Sequence, residues 1–196
     1  MSSYVRPAVA DEVYLDADEE PIDYGTRWEH SPPEDTYSVV THPERFAPLH
    51  AVADALIEHL RRAYDIKVVT EPGEERRKCV VPAAEEALSL TFEFTDHPGV
   101  RLHAGMHDFP YPVCGCDACD ETWHDAADDL EEVVFAVAEG RYSEAITGST
   151  SEPWIKYEIR DADGRFSRSG SGMADAGQLA QANPPPERYA PWPPRS

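Results

Sequence analysis

The chain has 196 residues, 38 acidic and 17 basic side chains, and a formal net charge of -21. Its length fits one domain with extended ends, large enough to bury an apolar core without disulfide staples. The charge argues against nucleic acid and anionic membrane as partners, since phosphate contacts need clustered Lys and Arg; it suits a protein partner with a basic surface.

The acids are unevenly placed. Residues 1–36 hold ten of them against Arg6 and Arg27, and residues 111–140 hold nine with no Lys or Arg. The second block reads as a solvated face or as a docking surface for a basic partner. No window approaches the ~18 consecutive apolar residues of a membrane span. Met1 to Glu20 has neither a basic start nor an apolar stretch, so no secretory signal is expected. These features predict a cytoplasmic protein whose thiols stay reduced.

Residues 1–36 are acidic and turn-rich and predict an irregular arm. Its aromatic residues suggest that parts of it pack on the domain, with Tyr24-Gly25-Thr26-Arg27-Trp28 as the anchor. Thr41 and Glu44 have capping-box spacing, and Pro43 suits a first turn; Pro48 lies further in, which makes that turn a separate short piece. From Leu49, the residues Val52, Ala53, Leu56, Ile57, Leu60 and Tyr64 follow helical spacing. Strands are predicted over 66–70 and 79–81. Leu88 to Thr95 and Val100 to Met106 alternate with period two and form a hairpin through Asp96-His97-Pro98-Gly99.

Asp108 to Val113 reads as a linker because of Pro110 and Pro112. A second helix is expected from about Asp120 to Glu139, with Trp123, Ala127, Leu130, Val134 and Val137 buried. Ile155 to Arg160 and Phe166 to Ser169 form a last hairpin around Asp163-Gly164. The Pro-rich end, 171–196, predicts a disordered tail of polyproline II character. The fold class is α+β: an antiparallel sheet built of hairpins with two amphipathic helices on one face. One domain spans 37–170, between the arm of 1–36 and the tail.

The sharpest local signal is Cys114-Gly115-Cys116-Asp117-Ala118-Cys119, three of the four cysteines within six residues. Zinc takes four thiolate or imidazole ligands in a tetrahedron, and Cys116-x-x-Cys119 is a chelating spacing to which Cys114 adds a third sulfur. His107 is the first choice for the fourth ligand, His124 the second and Cys79 the third. His103 is four strand residues from His107, roughly 13 Å, and too far to join the same ion. Asp117 and Asp120 are expected to cap the second helix. A thiol-redox site is the alternative, and packed, inert thiols are a third possibility. No catalytic residue is assigned: the chain has no phosphate loop, dinucleotide fingerprint or nucleophile elbow.

The segments Tyr37 to His50 and Pro112 to Glu121, the latter reading PVCGCDACDE, resemble those of an uncharacterised actinobacterial family, a domain of unknown function. The resemblance covers roughly residues 24–170 and implies no activity. The functional expectation is a non-enzymatic protein-interaction domain with a structural zinc site held by Cys114, Cys116, Cys119 and His107. The alternative is a thiol-dependent redox enzyme or metal-handling protein using the same cysteines.

Overall fold

A computed structural model describes residues 3–149, 151–174 and 188–196. The chain is α+β, with hairpin strands in two antiparallel sheets and two helices. Helix α1 is Pro48–Ala63 and α2 is Trp123–Ala138. Strands β1 (Ile66–Val69), β2 (Arg77–Pro82), β3 (Leu90–Thr95), β4 (Gly99–Ala104) and β5 (His107–Tyr111) form one meander in chain order. Strands β6 (Tyr142–Gly148), β7 (Pro153–Arg160) and β8 (Phe166–Met173) form the other. No helix among the described residues is long and apolar enough to cross a membrane.

Period-two alternation sets the faces of the larger sheet. Phe92, Leu102 and Phe109 stand in one row across β3, β4 and β5 and are all buried. The row of Thr91, His103 and Asp108 takes the other face, where His103 bonds both Asp108 and Glu93. The predicted apolar stripes of both helices, Leu49 to Leu60 and Trp123 to Val137, join the inner row in one core with Tyr142 and Ile159 of the second sheet. Leu56 and Leu130 are fully buried there. Truncating either to Ala is expected to cost about 2–5 kcal/mol in urea unfolding. A loss under about 1 kcal/mol would place that stripe outside the core.

The single expected sheet is in fact two, because α2 follows β5 and delivers the chain to a separate β6. Two strands were missed. In β5, Pro110 pairs with Arg101 at the edge of the sheet, where a missing N–H is tolerated if it faces outward. In β6 the inward position is taken by Glu144, so no apolar alternation marks it. The Thr41 capping box is also not formed: a short 3-10 turn, Pro43–Phe46, precedes α1, and the Thr41 hydroxyl bonds Asp117 instead.

The arm is irregular and packs on the domain. Tyr4 lies edge-on to His59 and Phe135, and the Arg6 guanidinium grips Glu131 of α2 from 2.8 Å with both Nε and Nη2. Arg6 also pairs with Asp128, and Arg168 of β8 with Asp129 and Glu132. Part of the acidic face of α2 is thus neutralised from within the chain. A cleft of about 750 Å³ remains between arm and helices, lined by Val9, Tyr14, Tyr24, Arg45 and Trp123 among others.

The Pro-rich end corrects a second expectation. Trp192 is 2 % exposed, and its Nε1 donates to the Leu88 carbonyl at 2.9 Å. The Trp192 amide bonds Ala138, and Pro193 accepts from the Asp65 amide. Proline lacks a donor but keeps its carbonyl, so a Pro-rich strand can still be fastened by its neighbours' amides. Strand β8 also runs past Ser169 to Met173. Residues 175–187, part of the predicted disordered tail, lie outside the described residues.

Candidate metal centre

The chain leaves β5 through a cis Tyr111–Pro112 bond and enters the cysteine turn. Cys114 Sγ lies 3.2 Å from Cys116 Sγ, and Cys116 Sγ lies 3.4 Å from Cys119 Sγ. All three sulfurs fall within 4.8 Å of one another, and all are free thiols. A disulfide would need about 2.05 Å. A tetrahedral ion with bonds of about 2.3 Å would space its sulfurs about 3.8 Å apart. The observed separations are nearer the second figure, so the three thiols could hold a metal ion.

The turn is fixed from behind by a buried polar cluster. Asp117 is 2 % exposed, and its carboxylate accepts from the amide and hydroxyl of Thr41. Arg45, also buried, donates to the Gly115 carbonyl at 3.0 Å and lies 3.9 Å from Asp117. Its guanidinium sits over the rings of Tyr24 and Phe46. The amides of Asp117 and Ala118 reach the carbonyls of Val39 and Thr36. The expected arm anchor closes the site: Trp28 Nε1 donates to the Asp117 carbonyl, and the Arg27 amide to Asp120. Asp117 and Asp120 are therefore not helix caps. Thr122 caps α2, with Asp125 completing a capping box.

The thiols sit in unequal electrostatic settings. The hydrogen bond from Cys114, aided by the amides of Cys119 and Ser38, lowers the Cys116 thiol to about 7. Its bond with Cys114 and burial push the Cys119 thiol up to about 12. Burial raises the Glu121 carboxyl, although the amides of Cys114 and Val113 oppose it. Ser38, whose amide meets Cys116, and Asp120, which follows Cys119, hold left-handed φ values of 61° and 53°. Such conformations persist in non-Gly residues where surrounding contacts enforce them.

The histidines of the sequence reading are elsewhere. The chain reverses at Gly105–Met106, so His107 opens β5 and faces the inner side, four residues before Tyr111. Its Nδ1 lies 2.6 Å from Glu144 Oε1, and it is not part of the sulfur group. His124 bonds Asp11 and stacks on Trp123. Cys79 lies in β2 between Val69 and Thr91. The structure thus brings the three cysteines together and leaves His107 at a separate centre.

That second centre was not read from the sequence. Glu144 is fully buried and accepts from the Met106 amide, Tyr142 Oη, Tyr189 Oη and His107 Nδ1. A Cβ at Gly105, whose φ is +58°, would come within 2.0 Å of Glu144 Oε2, so only glycine lets the carboxylate lie beneath this turn. Burial and the Glu144 charge raise the Tyr142 and Tyr189 hydroxyls, which therefore stay protonated as donors. The cluster ties β5 to β6 and to the C-terminal segment.

The model of DUF6226, a family of unknown function, matches residues 10–196. The chain belongs to DUF6226. The matched range takes in both the arm segment that grips the cysteine turn and the Trp192 segment that packs beneath α1 and α2, beyond the 24–170 suggested by resemblance. No curated protein matches the chain, and no solved structure does.

Proposed function

We propose that this DUF6226 chain is a cytoplasmic, non-enzymatic interaction domain in which Cys114, Cys116 and Cys119 hold a structural zinc ion. The observation that carries the reading is the trio of sulfurs within 4.8 Å on a turn fastened by Asp117 and Arg45. Thiolates at this spacing suit zinc better than oxygen-seeking cations. The turn draws contacts from the arm, the 3-10 turn ahead of α1 and the entry to α2, so an ion there would lock three segments. The remaining acidic surface suits a basic protein partner.

Protein purified under reductant without a His-tag is expected to carry one zinc per chain. Cys116→Ser or Cys119→Ser should remove the metal, and chelation should lower Tm, because the ion binds only the folded site. Zinc content near zero, together with four freely titrating thiols and a Tm indifferent to chelator, would rule the reading out. The close Cys114–Cys116 approach keeps one other reading in view, a thiol redox pair. In that case the metal-free protein would cycle reversibly between thiol and disulfide forms, which mass shift after alkylation records.

A further inference from the structure

The three sulfurs leave one tetrahedral position, and the histidines can be taken in turn. His42 bonds Glu44 and the Leu15 carbonyl, and His50 the Gly99 carbonyl. His59 lies against Tyr4 and Phe135, and His103 bonds Glu93 and Asp108. His107 and His124 are held by Glu144 and Asp11. Only His30 and His97 have neither a hydrogen bond nor a ring contact for the imidazole among the described residues.

His97 stands at the cysteine turn. Its Cε1 is the nearest heavy atom to a Cβ placed on Gly115, at 3.5 Å, and Gly115 lies between Cys114 and Cys116. The hairpin turn that carries it is fastened to the same stretch of chain. A Cβ at Gly99 would lie 2.5 Å from the Tyr111 carbonyl and 3.2 Å from Pro112, the residues leading into the sulfurs. His50 and Thr95 hold that turn through the carbonyls of Gly99 and His97. The imidazole is exposed and stands outside the sulfur group as it lies, so ligation requires it to swing toward the sulfurs.

We infer that His97 is the fourth ligand, so that Cys114, Cys116, Cys119 and His97 form a Cys₃His zinc site; this rests on the metal reading above. The ion would then staple the larger sheet to the arm and α2.

The test uses the full chain with Co(II) in place of zinc, since its ligand-field bands report coordination number and donor type. Wild type should give four-coordinate bands with thiolate charge transfer. His97→Cys should raise the charge-transfer intensity by about one third, from three thiolates to four, at unchanged stoichiometry. His97→Ala should weaken zinc in competition with a chelator by more than about tenfold, since even partners of ligating histidines cost 10–100-fold. His97 is exposed, so both variants should keep the wild-type circular dichroism of the metal-free chain. Metal binding with spectra unchanged in His97→Ala, or changed in His30→Ala instead, would overturn the inference and leave the cysteine site standing. Failure of the wild type to bind either metal would remove both.

Discussion

Replacing Glu144 with Ala is expected to destabilise the fold by about 3–5 kcal/mol, since several buried donors lose their acceptor at about 1–3 kcal/mol each. The carboxylate is fully buried and accepts four hydrogen bonds from three segments. Truncation takes the carboxylate acceptor from the Tyr142 and Tyr189 hydroxyls, the Met106 amide and His107 at once, leaving Tyr142 the Ala104 carbonyl at 3.3 Å, and each buried donor left unpaired carries its own desolvation cost. Glu144→Gln should be milder than Ala, because one acceptor oxygen remains, but still destabilising, because the amide adds donors among donors. Urea unfolding measures both, and a loss below about 1 kcal/mol for Ala would mean that the cluster is solvated. His107→Ala should lower stability too while leaving the metal content unchanged. This separates the role that β5 gives His107 from the ligand role expected from its sequence position.

Trp192→Ala is expected to cost about 3–5 kcal/mol, as large-to-small changes of buried aromatics do. The indole is nearly sealed, lies edge-on to Tyr64, and satisfies the Leu88 carbonyl. Deleting residues 188–196 should cost more. It also removes the amide bonds from Asp65 to Pro193 and from Arg195 to Ala63, and the Tyr189 hydroxyl from Glu144. Limited proteolysis should therefore leave 188–196 attached to the core, and loss of this end with an unchanged Tm would contradict the packing.

Helix stripes and the β3–β4 hairpin were legible because they depend on local period. Leu49 to Leu60 and Trp123 to Val137 show helical spacing, and Leu90 to Ala104 shows alternation; burial follows from these directly. The cysteine cluster was legible because its donors are adjacent in sequence, whereas the residues that fix its turn, Thr41, Arg45 and Trp28, are distant. The arm anchor at Tyr24–Trp28 showed as aromatic residues in an otherwise acidic run.

What the sequence could not supply depends on segments far apart in the chain. His107 looked like the end of β4, and only the reversal at Gly105–Met106 sends it to Glu144, 37 residues on. Glu144 hid β6 because a buried carboxylate at an inward position erases the alternation that marks a strand. The Pro-rich end looked disordered because composition measures average burial, whereas one buried tryptophan and a few backbone hydrogen bonds fasten it. His97, by contrast, stood in a recognised turn, but its approach to Gly115 depends on how the β3–β4 turn packs over Tyr111 and Pro112. Local period and adjacent donors are written in the sequence, while the partner of a buried charge or the last ligand of a metal is decided only when tertiary packing closes long loops.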